Sequence, residues 1–181
     1  MKHRIFISIE MPEELKKIAE KYIEPFRESD LTRIGENSNW HITVVFCGYL
    51  DDRELNNLKK ITEKISKEIK KFELIPDKII FAPPNKKPRM VWLTFKPSQI
   101  FLKLCRSFSE FSQDIREPTP HLTLVRFEQK HYPNLKKLLP ENGFDLKKEA
   151  KSFIVDSINI MESHLSPRGP KYELICRNYL K

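Results

Sequence analysis

The chain has 181 residues, 39% hydrophobic and 32% charged, a composition that suits a soluble globular protein of one domain or of two small lobes sharing a core. Thirty-three Lys and Arg against 25 Asp and Glu leave a net charge of +8, which favours an anionic partner such as RNA, DNA, nucleotides or phosphate esters, although a lysine-rich solvated surface accounts for it equally well. No apolar stretch approaches the ~20 residues of a membrane span, and the N-terminal apolar run is too short for a secretory signal. Three cysteines, Cys47, Cys105 and Cys176, show no CxxC spacing, which excludes a disulfide framework and a zinc knuckle and leaves buried free thiols in the reducing cytosol as the expectation.

Arg4 to Glu10 alternates and is rich in isoleucine, which predicts a strand. Pro12-Glu13-Glu14 opens a helix to Tyr22 or Phe26, with proline near the first turn and acids against the helix dipole. The polar stretch Asp30 to Asn39 reads as a loop, and Trp40 to Leu50 as a strand. Asp51-Asp52 caps a helix to Lys71 in which Leu55, Leu58, Ile61, Ile65 and Ile69 recur at helical spacing, an amphipathic helix lying on a sheet. Phe72 to Ile75, Lys78 to Phe81 and Met90 to Phe95 are strand-like, and the segment Ala82 to Pro88 is a proline-rich basic loop. Pro97-Ser98 begins a helix to Ser112. Pro118-Thr119-Pro120 is a stiff lead into a strand at His121 to Phe127. A short helix from His131 to Leu139, strands at 153–155 and 158–160, a loop from Leu165 to Lys171 and a closing strand from Tyr172 complete the chain. This order predicts an α+β fold: mostly antiparallel sheets with helices on their outer faces.

Two strands share a pattern. His41-Ile42-Thr43-Val44 and His121-Leu122-Thr123-Leu124 both read His–apolar–Thr–apolar. Side chains alternate across a strand, so each segment anchors its apolar face and presents an imidazole beside a hydroxyl on the other. Each is preceded by a strand–helix unit, and such a duplication sets the two pairs across a pseudo-twofold axis, facing one central cleft. Breaking a phosphodiester needs a base for the nucleophile, an acid for the leaving oxygen and donors for the non-bridging oxygens. Two imidazoles and two hydroxyls meet those needs without a metal. A metal site fits poorly, because Cys47 lies about 20 Å along the strand from His41 and His3, His131 and His164 have no paired spacing. Strand chemistry alone leaves open which histidine is acid and which is base.

At these residues the sequence resembles the two-histidine (2H) phosphoesterase superfamily and, within it, the RNA 2′,3′-cyclic phosphodiesterases, also called 2′–5′ RNA ligases. Five blocks carry the likeness in order: Arg4-Ile5-Phe6-Ile7-Ser8-Ile9, then Asn39-Trp40-His41-Ile42-Thr43 with Phe46-Cys47-Gly48, then Pro88-Arg89-Met90-Val91-Trp92-Leu93, then Pro120 to Arg126, then Ser163-His164-Leu165 with Gly169-Pro170-Lys171-Tyr172. Ile34, Pro118 and Cys47 depart from the pattern. The resemblance implies one domain over residues 1–181, built of two lobes. It also implies metal-independent opening of RNA or ribonucleoside 2′,3′-cyclic phosphates to 2′-phosphates, with 2′–5′ ligation as the reverse reaction. His41 is then the proton donor to O3′, His121 the acceptor of a proton from water, and Thr43 and Thr123 hold the non-bridging oxygens. No cofactor is implied, and the expected partner is an RNA end or nucleotide met by a cytosolic monomer.

Arg126, which the resemblance matches to phosphate contact and which reads equally well as a salt bridge at a strand end, and Tyr172 and Trp40, which more often belong to a core, are further candidates for substrate contact. Strict alternation from His121 sets Arg126 with Leu122 and Leu124, away from the histidine, and it reaches a cleft only if the strand twists or ends there or the side chain wraps round. Lys86, Lys87 and Arg89 on the proline-rich loop read first as a solvated loop and, as the alternative, as a guide for an RNA tail. The rival to an enzyme is a non-catalytic nucleotide- or RNA-binding module of the same fold, and a third option is another 2H substrate with the same site chemistry.

Overall fold

A computed structural model of the chain describes residues 2–84, 86–112, 118–166 and 169–181. In chain order the elements are β1 (His3–Glu10), α1 (Glu13–Arg27), β2 (Thr32–Ile34), β3 (His41–Leu50), α2 (Asp52–Glu68), β4 (Phe72–Leu74), β5 (Pro76–Ala82), β6 (Met90–Phe95), α3 (Gln99–Arg106), β7 (His121–Phe127), α4 (Tyr132–Leu135), β8 (Phe144–Asp145), β9 (Phe153–Val155), β10 (Ser157–His164) and β11 (Lys171–Tyr179). The fold is α+β with antiparallel pairing throughout, as the alternation predicts. Among the described residues, one sheet runs β11-β10-β1-β3-β7-β6-β5-β8, with β2 also on β7, and β4 and β9 form a separate pair.

The long sheet is two halves joined at a narrow seam. β11, β10, β1 and β3 form the first half, and β7, β6, β5 and β8 the second. A single residue pair, Ile42 opposite Leu122, links β3 to β7. Each half is backed by helices. α2, set by a capping box in which the Asp51 side chain accepts from the Glu54 amide and the Glu54 side chain accepts from the Asp51 amide, lays Leu55, Leu58 and Ile65 on the first half. α3, capped by Ser98, packs against β3. α1 crosses to the second half, where Phe26 meets Phe81 edge-on and Tyr22 meets Phe144. Thus the helix that follows β1 covers the half that holds β7, and the helix that follows β6 covers the half that holds β3.

Several boundaries differ from the sequence reading; the helix predicted from His131 to Leu139, for one, is α-helical only at Tyr132–Leu135, between 3-10 turns. The polar stretch before His41 contains β2 and a turn of 3-10 helix at Asn37–Asn39, because Thr32 to Ile34 finds a free edge on β7. α2 stops at Glu68 rather than Lys71. α3 stops at Arg106 rather than Ser112; a separate 3-10 turn, Ser109–Phe111, completes that stretch. Asn85 of the proline-rich loop and Pro167 and Arg168 of the C-terminal loop lie outside the described residues. No described helix is long and apolar enough to cross a membrane.

The start of β1 is pinned by His3. Its Nδ1 lies 2.9 Å from Glu162 Oε1 on β10 and its Nε2 3.1 Å from Asp52 Oδ1 at the start of α2. Carboxylates only accept, so both bonds need both ring N–H groups, and the hydrogen bonds to Glu162 and then Asp52 hold the His3 pKa above its ordinary value. A raised folded-state pKa stabilises below the unfolded value of about 6.5 and the gain is lost as pH rises through the folded value. In urea titrations, the stability difference between the native protein and His3→Gln is therefore expected to be largest at about pH 5 to 6 and to shrink at about pH 8. A difference that grows with pH would contradict the clamp.

Candidate active site

The two His–Thr units flank the seam. Ile42 and Leu122 pair back to back, and the antiparallel sense brings the His41 end of β3 beside the Thr123 side of β7, and the reverse. Ile42 and Leu122 are buried, while His41, Thr43, His121 and Thr123 are each half-buried on the opposite, helix-free face. Both imidazoles are oriented in the same way. His41 Nδ1 lies 2.7 Å from the carbonyl oxygen of Asn39, and His121 Nδ1 lies 2.8 Å from that of Thr119. A carbonyl can only accept, so Nδ1 carries the hydrogen in each neutral ring and the lone pair sits on Nε2. The Asn39 side chain also donates to Pro170 O at 3.1 Å, which ties the segment before His41 to the loop leading into β11.

Beyond the threonines, each motif strand carries one extra residue. On β3, Val45 pairs with Ile7 and Thr43 with Ser8, so Val44 is unmatched. On β7, Val125 pairs with Val91 and Thr123 with Trp92, so Leu124 is unmatched. These are β-bulges at the third residue after each histidine, and each reverses the side-chain parity that follows. Both residues of Val44-Val45 and of Leu124-Val125 are buried, and Phe46 and Arg126 emerge on the side of the histidines. This corrects the strict-alternation placement of Arg126: the bulge brings it to the cleft side. Its Nη1 lies 3.3 Å from Met90 Sδ, and its charge bears on His41 and on Tyr172.

The walls of the two halves differ. Around His41, the Phe6 ring is tilted at 4.8 Å and the Tyr172 ring stands edge-on at 5.2 Å, with Phe6 and Tyr172 4.9 Å apart. Around His121, Trp92 stacks at 3.8 Å and 24°. The sequence reading does not single out Phe6 or Trp92 as lining residues; Trp92 comes beside the second motif through its pairing with Thr123, a long-range register with no local signal in the sequence. Of the two readings of Trp40, cleft lining and core, the structure shows the core. At 4% exposure it belongs to the core, on the Ile42 side of β3, where it offers no surface to a ligand. Lys86, Lys87 and Arg89 lie on the loop at the Met90 end of β6, and among them Arg89 bears electrostatically on Arg126.

Burial is the first reason that the His41 pKa falls below its ordinary value; the Asn39 carbonyl works against it, and the positive charges of Arg126 and His121 add to the lowering. Burial likewise lowers the Arg126 pKa, with Tyr172 opposing and Arg89 adding to the effect. Burial raises the Tyr172 pKa against the pull of Arg126 and Arg4. The Cys47 and Cys105 thiols are pushed up to about 12 by burial and are inert at neutral pH. Among the described residues no group of three His, Cys, Asp or Glu side chains is arranged to hold a metal ion. The arrangement therefore offers two Nε2 atoms for proton transfer, two hydroxyl donors and one guanidinium, a set suited to an anionic phosphorus centre.

The family model for the 2′–5′ RNA ligase superfamily matches residues 14–167. The chain belongs to the 2′–5′ RNA ligase superfamily. Members similar to it over nearly the whole length include the RNA 2′,3′-cyclic phosphodiesterase of Methanocaldococcus jannaschii, 28% identical over 95% of this chain and 98% of that one. The RNA 2′,3′-cyclic phosphodiesterase of Thermotoga maritima is 27% identical over 95% and 92%. The same fold is found in E. coli LigT complexed with ATP, at a TM-score of 0.75 and 20% identity, covering 100% of this chain and 99% of that one. A Thermus thermophilus protein shares it at a TM-score of 0.77 and 19% identity over 98% and 97%.

In this superfamily member the imidazoles can be followed directly. His41 is expected to titrate below about 6.5. Arg126→Gln, which removes one of the two opposing charges, should raise that midpoint while leaving it below the ordinary value, because burial is the larger cause. Proton–nitrogen correlation spectra across a pH series read both the midpoint and the Nδ1–H tautomer. A neutral His41 protonated on Nε2 would contradict the orientation described above.

Proposed function

We propose that the chain opens 2′,3′-cyclic phosphates at RNA ends or on ribonucleosides, giving 2′-phosphates, and that it does so with His41 and His121 as the proton-transfer pair. The observation that carries this reading is the matched orientation of the two rings, each with Nδ1 held by a backbone carbonyl two residues earlier and Nε2 left for chemistry. Membership of the superfamily and the names of the similar phosphodiesterases support the substrate class.

In the forward direction water attacks phosphorus while His121 Nε2 takes its proton. The P–O3′ bond breaks, and His41 Nε2–H gives a proton to O3′, leaving a 3′-hydroxyl and a 2′-phosphate. Thr43 and Thr123 donate to the non-bridging oxygens and Arg126 offsets their charge; Tyr172 closes the wall beside His41. Burial and its positive neighbours favour the neutral form of His41. A bound phosphate anion offsets Arg126 and His121, so His41 takes up a proton on binding and is then charged for its role as acid. With the 5′-hydroxyl of a second RNA in place of water, the same steps open the cyclic phosphate onto that hydroxyl: the P–O5′ bond forms as P–O3′ breaks, the base takes the proton of the 5′-hydroxyl and the acid protonates O3′, leaving a 2′–5′ linkage, which is the ligation reading. Residues 1–181 act as one domain, since one chain supplies both units and a monomer suffices. The free thiols fit the reducing cytosol.

A second assignment, with His41 as base and His121 as acid, is favoured by the lowered His41 pKa and by the Trp92 face against His121, which suits a protonated ring. A cyclic substrate with sulfur in the 3′ bridging position decides between the two. Its leaving group needs no proton, so it restores the variant that has lost the acid and not the one that has lost the base.

On adenosine 2′,3′-cyclic phosphate, His41→Ala and His121→Ala are each expected to lower kcat by about 10²- to 10⁴-fold. Thr43→Val and Thr123→Val should lower it by about 10- to 10³-fold, and activity should persist in EDTA. Full activity in the double histidine variant would overturn the mechanism. Saturable binding without product by the native protein would leave a nucleotide-binding module instead.

A further inference from the structure

The cleft-side face of the first half can be followed row by row across its strands. Thr43, Ser8, Asn159 and Arg177 form one row, Phe46, Phe6, Met161 and Leu174 the next. The third holds Tyr49, Arg4, Ser163 and Tyr172: Arg4 pairs with Tyr49, Ser163 pairs with Tyr172, and Arg4 Nη1 donates to Ser163 Oγ at 3.1 Å. Charges on this face are handled in two ways. Arg177 is matched by a carboxylate, with Nη2 2.5 Å from Glu10 Oε2, and donates from Nε to Asn159. Among the described residues Arg4 meets the Ser163 hydroxyl, and no ion pair joins Arg4 or Arg126 to a carboxylate.

Tyr172 stands where these two cations converge. Arg4 from its own half and Arg126 from the other half both act on its hydroxyl. Ser163 is buried and Arg4 and Tyr172 are half-buried, so two guanidiniums and two hydroxyls gather in a partly desolvated corner whose charged members are all positive. Such a set lacks an anion. The reacting phosphate does not supply it for Arg4. Arg126 and His121 are the charges that act on His41, whereas Arg4 is separated from the Thr43 row by the Phe6 row. An RNA end with a 2′,3′-cyclic phosphate carries one other anion on the same nucleotide, the phosphate at O5′.

We propose that Arg4, Ser163 and Tyr172, faced by Arg126, form a second anion subsite that takes the O5′ phosphate of the nucleotide whose cyclic phosphate lies between the histidines. The subsite rests on the cyclic phosphodiesterase reading for its substrate. It makes the protein a reader of RNA ends, or of 5′-phosphorylated nucleotides, in preference to cyclic nucleosides that end in a 5′-hydroxyl.

Binding and turnover test it separately. Calorimetry compares adenosine 2′-phosphate with adenosine 2′,5′-bisphosphate, and turnover compares adenosine 2′,3′-cyclic phosphate with its 5′-phosphorylated form and with the dinucleotide ending in the same cyclic phosphate. The 5′-phosphorylated members of both sets are expected to be preferred about tenfold or more. Arg4→Gln, which keeps a donor for Ser163, should remove most of that preference while the 5′-hydroxyl nucleotide is processed as before. Its salt dependence on the phosphorylated ligand should fall by about one unit of log–log slope. Tyr172→Phe, which keeps the ring beside His41, should remove part of it. Preference for the monoester alone, or for the dinucleotide as well, tells a terminal phosphate from an internucleotide one, and either supports the subsite. No preference in the native protein, or an equal loss on all ligands in Arg4→Gln, overturns it. If the bisphosphate preference holds and no cyclic phosphate is opened, the subsite stands and the catalytic reading falls.

Discussion

The cleft depends on two residues that pair with nothing, Val44 and Leu124. Without them each motif strand would keep strict alternation, and Phe46 and Arg126 would point with Ile42 and Leu122 into the helix-backed core. A guanidinium there would be desolvated without a partner, a loss of several kcal/mol in a real protein interior. The extra residue instead doubles the apolar anchor, as Val44-Val45 and Leu124-Val125, and returns the next side chain to the cleft. A further register shift on β3 comes two residues later, at Cys47, where Gly48 takes the left-handed φ of 76° that a side chain disfavours. The bulges occupy equivalent places, so the two halves are matched in backbone and unlike in side chain: an aromatic ring on one, a cation on the other.

That unlikeness gives an almost symmetric cleft a direction. The histidines and threonines repeat across the seam and by themselves would treat both sides of a phosphate alike. Everything around them differs. His41 sits between Phe6 and Tyr172 and feels two positive neighbours, while His121 lies flat against Trp92. Two identical side chains thus sit in unlike surroundings, and those around His41 lower its proton affinity.

The His-x-Thr strands were legible because period-two alternation survives in four residues, and the helices because their apolar spacing and caps are local. Trp40 was legible in principle too: it precedes His41 by one residue and so belongs to the other face, where the structure buries it. Arg126 was not, because a bulge is written only as two adjacent apolar residues, and a strand buried on both faces reads the same. β2 could not be read because three residues in a polar segment become a strand only when the edge of β7 accepts them. The Asn39 and Thr119 carbonyls that orient the histidines are backbone groups, invisible to any reading of side-chain types. The pairing of Arg4 with Ser163 joins positions 159 residues apart, a proximity that strand order alone decides.

The exchange of helices between the halves bears on how such a protein is made. α1 leaves the first half with β1 and buries Phe26 and Ile23 in the second, and α3 leaves the second half and packs behind β3. A cut in the connection between the halves would strand each set of strands with a helix that belongs on the other. The first half would keep α2 but lose α3, and the second would lose α1, so only the two together would be fully covered. The seam between β3 and β7 is therefore narrow in hydrogen bonds and wide in mutual dependence. The contacts that close it are distant in sequence, so the cleft should be among the last features to form as the chain folds.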